Sequence, residues 1–288
     1  MRPHVFLIGG SGQLGSEIRR QAQMRWRITA PPRAALDLAR PAALAEAVRE
    51  ARPDIVVNAG AFHVVDLCES RLDEALTVNA VAVAVLARTC EAIGARLVTF
   101  STDYVFDGAR AEPYRESDVT NPLQAYGLSK AAGEEAALQL HPAGAFVIRS
   151  CGLYGHAPSR QKGGNFVLDR LRDARNRDVV EVGCDLVCTP TSAADLAGAT
   201  VALLGREAPA GLYHLTNAGC CDWATFAGAV FRHAGCGARV APVDRRGRYG
   251  PARRPPYTVL DCGKAAAFGI VLRHWREALG DYLRTVPG

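Results

Sequence analysis

The chain has 288 residues, 49% of them hydrophobic and 22% charged, with a net charge of +5. That is length for one large domain or two small ones around an ample core. The mild positive balance suits an anionic small molecule and speaks against a nucleic-acid partner, because much of the basic excess falls in one late stretch and not along a helix face. Arg2-Pro3 is followed at once by Val5-Phe6-Leu7-Ile8 and glycines, too short an apolar run for a signal segment or a membrane span. A cytoplasmic protein with no membrane partner is expected. The nine cysteines are odd in number and include no C-x-x-C pair, so reduced thiols are expected and no metal site is predicted.

His4–Ile8 reads as a short buried strand that ends in Gly9-Gly10-Ser11-Gly12-Gln13-Leu14-Gly15, with a helix predicted over residues 16–23. Strand, glycine turn and helix form the arrangement in which backbone N–H groups and a helix N-terminus receive a pyrophosphate, Gly9, Gly12 and Gly15 allowing the close approach. An ordinary strand-to-helix turn is the plainer alternative. Residues 27–30 predict the second strand. An NAD-selective site would place an acidic residue near its end, but here the chain gives Ala30-Pro31-Pro32-Arg33. The missing carboxylate and the available Arg33 point to NADPH, with NADH as the alternative.

A third short strand is expected at Ala35-Leu36-Asp37-Leu38, a proline-opened helix at Pro41–Ala51 and a fourth strand at Ile55–Asn58, followed by the small residues Ala59-Gly60-Ala61. Residues 73–93 predict a long alanine-rich helix carrying Asn79, suited to binding a backbone group. Residues 96–100 predict the next strand. The alternation of strand and helix predicts an α/β fold, a doubly wound parallel sheet of the Rossmann type, with ligands at the C-terminal edge of the strands.

At that edge stands Ser101-Thr102-Asp103-Tyr104-Val105-Phe106-Asp107-Gly108, and one loop later Asn121-Pro122-Leu123-Gln124-Ala125-Tyr126-Gly127-Leu128-Ser129-Lys130. Asn121 is a good N-cap, Pro122 suits the first helical position and Gln124 sits where a capping-box partner reaches back, so a helix is predicted to begin there. Tyr126 and Lys130 then share one face. A phenol beside an ammonium is a proton donor in waiting, since the positive charge favours the phenolate and should pull the tyrosine pKa down. With only three lysines against 31 arginines in the chain, the coincidence carries weight over the plain alternative of an exposed helix pair. Thr102 is placed to hydrogen-bond the same substrate oxygen, although Ser101 and Thr102 as turn formers and Asp103 as a cap would be equally ordinary there.

Ala145–Ser150 predicts a sixth strand. From Cys151 onward the elements shorten, with Gly152, Gly155, Pro158, Gly163 and Gly164 marking loops, helices expected over 165–175, 195–204 and 222–234, and strands over 179–182 and 212–216. The expected division is therefore a cofactor domain over residues 1–150, with elements near 178–205 returning to it, and a smaller substrate lobe over 151–288. Arg245, Arg246, Arg248, Arg253 and Arg254 form an arginine-rich stretch broken by Gly and Pro; a solvated loop accounts for most of them, and Arg254-Pro255 is the pair singled out for a diphosphate.

Taken together, the glycine turn, residues 101–108 and Tyr126-x-x-x-Lys130 resemble extended short-chain dehydrogenases/reductases, most closely the dTDP-4-dehydrorhamnose reductase group. Asn58-Ala59-Gly60-Ala61 with Val65-Asp66-Leu67-Cys68-Glu69, Gly164-Asn165-Phe166, Asp185 with Thr189-Pro190-Thr191, and Arg254-Pro255 with Leu260-Asp261 are similar to further blocks of that group. The resemblance implies NAD(P)H-dependent reduction of a nucleotide-linked 4-keto-6-deoxysugar. It implies that Gly12, Gln13 and Leu14 meet the cofactor phosphates, Asp37 and Leu38 the adenine side, and Ala61, Phe62 and His63 the cofactor beyond the fourth strand. Lys130 would hold the nicotinamide ribose and tune Tyr126, Tyr126 would give its proton to the C4 oxygen, Thr102 would bond that oxygen, and Asp103 would sit beside it. Asn165 and Arg254 are carried over as substrate contacts.

Two positions depart from the group. His63 stands where threonine is common, and Gly152 stands where a tryptophan is common in the block matching Arg149-Ser150-Cys151-Gly152-Leu153-Tyr154-Gly155, which removes an aromatic surface from the sugar side. In the Asp185 block, Leu186 and Cys188 replace residues that are usually Gln and Gly. An epimerase or dehydratase of nucleotide sugars, or a non-catalytic cofactor-binding regulatory subunit, would carry much the same residues. Some members pair through metal-bridged acidic residues; a homodimer is thus compatible with the resemblance, Glu17 being the residue available here, without a ligand set that would predict the metal.

Overall fold

The computed structural model describes residues 1–157, 163–206 and 208–286; Pro158 of the expected loop markers lies outside the described residues. Its centre is a six-stranded sheet built from β1 (His4–Ile8), β2 (Arg27–Thr29), β3 (Ile55–Asn58), β4 (Arg96–Thr102), β5 (Ala145–Ser150) and the strand Gly211–His214. The spatial order is Gly211–His214, β5, β4, β3, β1, β2, and every pairing is parallel. All residues of β1, β3 and β5 are buried, which is why residues 5–8, 55–57 and 145–148 are continuous apolar runs without polar alternation. Side chains leave the two faces in turn. Val5, Leu7, Val57 and Ile148 pack with Ile18, Leu196 and Val201 on one face, whereas Phe6, Ile8, Val56 and Val147 pack with Leu44, Leu86 and Ala137 on the other. Helices Gln13–Ala22 and Ala193–Leu204 cover the first face, and Pro41–Ala51, Ala82–Ile93 and Ala125–Leu140 the second.

The chain reverses its direction of travel across the sheet between β1 and β3, so their following loops part and leave a crevice beyond the strand ends. Register sets what faces it: Ile8 lies beside Asn58, Asn58 beside Thr99, and Thr102 beside Ser150.

Two expectations need correcting. Residues 35–38 form no strand: the Ala35 and Leu36 N–H groups both donate to the Pro32 carbonyl, at 2.9 and 3.1 Å, and the turn removes the extended backbone a strand requires. Leu36 and Leu38 are buried all the same. The helix over 72–93 is unbroken but changes pitch, with a π-helical turn at Thr77–Val81 between Leu72–Leu76 and Ala82–Ile93. It is long and apolar enough to cross a bilayer, yet it packs inside the fold, with Val83, Leu86, Ala87 and Cys90 in the core under the sheet.

Beyond β5 a second core gathers Tyr154, Val180, Val182, Phe226, Phe231 and Trp275. The strand Val179–Gly183 pairs in parallel with Arg239–Val243 and stays in this lobe, whereas the helix Ala193–Leu204 and the strand Gly211–His214 return to the main sheet. Short pairs join the lobe to the crevice: Leu153–Tyr154 with Thr191–Ser192, and Val187–Cys188 with Cys221–Asp222.

Candidate active site

A cleft of about 540 Å³ lies along the C-terminal edge of the sheet, within the size range of small-molecule sites. Its lining starts at the glycine turn. Gly9 has φ +75°, and a β-carbon there would stand 2.8 Å from Ala59 C and Gly60 N; one on Gly15 would stand 2.2 Å from the Gly9 carbonyl oxygen. Turn, helix and β3 loop are thus packed backbone to backbone. Gly12 caps the helix Gln13–Ala22 without a side-chain hydrogen bond, so its first amides remain available, and Gln13 brings a buried Nε2 that has no protein partner. These are the donors an anionic diphosphate requires. Leu14, Arg33, Asp37 and Leu38 line the same cleft, with the Arg33 guanidinium 3.8 Å from the Asp37 carboxylate on the outside.

Ala59, Gly60, Ala61, Phe62 and His63 continue the lining. The loop is held from below by Asn79, whose Oδ1 accepts from Phe62 N–H and whose Nδ2 donates to the Phe62 carbonyl, both at 2.9 Å, and to Ser129 Oγ at 3.0 Å. Asn79 therefore ties the loop after β3 to the helix that carries Tyr126. It sits in the π turn, the kind of irregularity that re-aims a side chain at a site. Gly133 passes so close that a β-carbon would meet the Asn79 carbonyl at 2.1 Å.

Thr102, Asp103, Tyr126 and Lys130 all line the cleft. Thr102 Oγ1 donates to Asp103 Oδ1 at 2.9 Å and accepts from Tyr104 N–H at 3.1 Å; Thr258 Oγ1 donates to Asp103 Oδ2 at 2.5 Å. The Cys151 thiol also favours the charged form of the Asp103 carboxylate. Burial still dominates, and it raises the Asp103 pKa above the ordinary carboxylate value against all three groups. Lys130 is buried and donates from Nζ to the Phe100 carbonyl at 2.5 Å; desolvation lowers its pKa to about 8, opposed by the charge of Glu134. Glu134 is itself clamped to Arg149 of β5, Oε2 to Nη2 at 2.6 Å, which pins this helix to the sheet.

The sequence reading of Tyr126 is corrected in sign. Its pKa is raised, first by loss of solvent and then by the Asp103 charge, with the Thr102 hydroxyl opposing. The ammonium of Lys130 is aimed at a backbone carbonyl instead. The helix also begins later than expected, at Ala125 and not after Asn121. Asn121 spends its amide on Asp107 Oδ2 at 3.0 Å, Gln124 makes no side-chain cap, and the Ala125 N–H is taken by Glu69 Oε1 at 2.8 Å. The cap comes from a different helix.

Asn165 lines the cleft as an N-cap: Oδ1 accepts from Leu168 N–H at 3.1 Å, and Nδ2 donates to the Gly155 carbonyl at 2.9 Å and Tyr282 Oη at 3.0 Å, which leaves one acceptor lone pair for a ligand. Arg254 stands behind the lining. It pairs with Asp66 at 2.8 Å and lies over the Tyr104 ring at 5.9 Å, while its neighbour Pro255 reaches the cleft. Gly152 lines the cleft at φ +54°.

Residues 2–287 match the model of the family described as RmlD substrate binding domain. The dTDP-4-dehydrorhamnose reductase of Streptomyces griseus is 41% identical over 294 residues, covering 100% of this chain and 95% of that protein. The chain belongs to the dTDP-4-dehydrorhamnose reductase family. Solved members share the whole fold: that of Clostridium acetobutylicum superposes with a TM-score of 0.92 at 34% identity over 98% of both chains. That of Bacillus anthracis, solved in complex with NADP, superposes with a TM-score of 0.93 at 31% identity, over 99% of this chain and 100% of that one. Against this family fold, the residues that sequence reasoning missed are those brought in from afar. Thr258, Val187 and Trp223 all line the cleft, and none stands in a local pattern that announces a ligand.

Proposed function

We propose that the chain reduces a nucleotide-linked 4-keto-6-deoxysugar, dTDP-4-dehydro-L-rhamnose, to dTDP-L-rhamnose with NADPH. The observation that carries this reading is that Tyr126, Lys130, Thr102 and Asp103 open into the same cleft as the bare glycine turn. The glycine positions, which side chains would fill, and the orphaned Gln13 Nε2 fit a dinucleotide diphosphate. Bound there, NADPH supplies the hydride that reduces the C4 carbonyl. Arg33, with no acidic residue at the end of β2, favours the 2′-phosphate; Asp37 and Leu38 flank the adenosine, and Ala59, Gly60, Ala61, Phe62 and His63 the middle of the cofactor.

In this reading Tyr126 Oη gives its proton to the C4 oxygen as the carbon is reduced. The raised pKa keeps the phenol protonated at neutral pH, which suits an acid that donates only when negative charge develops on its partner. Thr102 Oγ1, whose one proton goes to Asp103 in the free protein, would turn that proton to the same oxygen when the substrate binds, and Lys130, held on the Phe100 carbonyl, would hold the nicotinamide ribose. Until then Asp103 orients Thr102 by accepting a hydrogen bond from its hydroxyl. Residues 1–150, with Ala193–Leu204 and Gly211–His214 returning to the sheet, hold the cofactor, and residues 151–288 mainly hold the sugar nucleotide, Asn165 through its remaining acceptor. Three of the five arginines of this stretch are paired with carboxylates of the chain, Arg245 with Glu181, Arg246 with Asp244 and Arg254 with Asp66, which supports a small-molecule substrate over nucleic acid. A cytoplasmic location goes with a soluble cofactor and substrate, and a homodimer is compatible with it.

The test is NADPH oxidation, followed by absorbance, with dTDP-4-dehydro-L-rhamnose. Stoichiometric consumption of cofactor separates a reductase from an epimerase, which consumes none, and from a regulatory subunit, which does not turn over. Tyr126→Phe is expected to lower kcat by about a hundredfold or more with cofactor affinity near normal, as loss of a general acid does. Full activity in that variant removes Tyr126 as the donor, and a higher kcat/KM with NADH than with NADPH removes the role given to Arg33.

A further inference from the structure

A β-carbon built on Gly152 would lie 3.3 Å from each of Pro190 Cα, the Thr189 carbonyl oxygen and Trp223 Cη2. The outer edge of the Trp223 indole therefore lies against the bare backbone of residue 152. Its position is set from two sides. Cys221 and Asp222 pair with Cys188 and Val187, and Asp222 caps the helix Trp223–His233 by accepting from Thr225 N–H at 2.7 Å. Phe166 stands beside the indole, ring centroids 4.6 Å apart and tilted by 41°. Behind them Phe226 and Trp275 belong to the buried core, whereas Trp223 and Phe166 are only half-buried and line the cleft. Two large rings left half in water on a cleft wall are surface available to a ligand.

Contacts place this wall beside the reacting group. Gly152 lies two residues beyond Ser150, which is the register partner of Thr102 in the sheet, and Gly152, Thr102 and Asp103 line the same cleft. We propose that Trp223, laid over Gly152 and flanked by Phe166, is the platform on which the sugar ring of the substrate packs its apolar face, and is a determinant of sugar specificity. The identity of the ligand as a nucleotide sugar rests on the function proposed above; the platform itself rests on the rings. The sugar is the occupant and not the base, because the wall adjoins the Thr102 and Asp103 group where the keto carbon must lie. A pyranose shows C–H groups on its faces and a 6-deoxysugar adds a methyl, both matched to an aromatic face.

The test uses the full chain with NADPH. Trp223→Ala is expected to raise KM for the nucleotide sugar about tenfold with kcat nearly unchanged, which corresponds to an aromatic contact shared by ground and transition states. Affinities for NADPH and for dTDP alone stay as in the wild type, and Trp223→Phe recovers most of the KM. Gly152→Ala crowds the same ring edge and raises KM in the same way. Trp26 and Trp275 are buried, so quenching of tryptophan fluorescence by the nucleotide sugar reports Trp223 and is lost in Trp223→Phe. Wild-type turnover with an unchanged KM in Trp223→Ala overturns the platform and leaves the reductase standing. Quenching by dTDP alone overturns it in favour of a base contact. If the wild type does not turn over, the reductase reading fails, and quenching by the sugar nucleotide, absent with dTDP, still supports the platform while its absence overturns it.

Discussion

The glycine turn after β1 and the aromatic wall beside Gly152 face one cleft but are built by opposite means. The turn is local: Gly15 closes on Gly9 six residues earlier, and a single strand-turn-helix segment makes the whole feature. The wall is assembled from Gly152, Phe166, the pair Val187–Cys188 and Trp223, which meet only after the lobe has folded. A local device constrains residue types along the sequence, because each glycine is required by a neighbour at fixed spacing. An assembled one constrains pairs of positions that the sequence does not display as pairs.

The contrast can be broken by adding one methyl group at each place. Gly15→Ala puts a β-carbon 2.2 Å from one backbone atom and 2.8 Å from another, the Gly9 oxygen and Gly10 Cα, so the helix must shift bodily. Overpacking of this kind costs about 1 to 3 kcal/mol of stability, and moving the diphosphate donors by about an ångström is expected to weaken NADPH binding roughly a hundredfold. Gly152→Ala meets its neighbours at 3.3 Å and carries the strain of a positive φ, so it should spare NADPH binding and act on the sugar alone. Cofactor titration and thermal melting of the two variants check this; equal loss of cofactor affinity in both would show that turn and wall do not act separately.

The same distinction explains what the sequence disclosed. β1, β3 and β5, the glycine turn and the Tyr126 to Lys130 spacing are all local, and all were legible. The start of the helix that carries Tyr126 was not, because Asn121 gives its amide to Asp107 and the Ala125 N–H is served by Glu69, 56 positions earlier. Residues 35–38 alternate like a strand, but the turn on Pro32 decides their backbone. The direction of the Tyr126 shift was misjudged because an adjacent ammonium is visible in sequence, whereas desolvation and the Asp103 charge appear only when the cleft is closed around the ring. Asn165 lines the cleft and also caps a helix, and Gly155 and Tyr282 hold its amide from opposite directions along the chain, partners that no local pattern displays.

Lys130 sharpens the comparison from within the local motif. Burial lowers its pKa to about 8, while Tyr126 is held protonated well above that. Below about 8 the ammonium is present to hold the nicotinamide ribose in the proposed reaction; above it the charge is lost. Activity with the nucleotide sugar is therefore expected to fall about tenfold per pH unit on the alkaline side, with a limb in kcat/KM near 8 that belongs to lysine and not to tyrosine. Lys130→Arg, which keeps its charge, should flatten that limb even if its overall rate is low. A limb that persists unchanged in the arginine variant would assign it elsewhere.

Asp103 carries the smallest effect and tests what the assembled part of the site costs. Its carboxyl is buried, and its pKa is raised above the unfolded value despite hydrogen bonds from Thr102 and Thr258. An acid with a raised folded-state pKa holds a proton that the unfolded chain releases, so its contribution is most favourable at low pH and is lost as pH rises through the folded pKa. Asp103→Asn removes that charge while an amide oxygen can still accept from Thr102. The variant is expected to melt a few degrees above the wild type at pH 8, a change of about 1 kcal/mol, and the advantage should shrink as pH falls towards 4. Because the Asp103 charge also raises the Tyr126 pKa, the tyrosine should ionise at lower pH in the variant, readable as phenolate absorbance. A variant less stable than wild type at every pH would mean that the hydrogen bonds to Asp103 outweigh the cost of burying its charge. The carboxylate would then be part of what holds the loops after β4 and β5 to residue 258, and not a stability cost accepted at the reaction site.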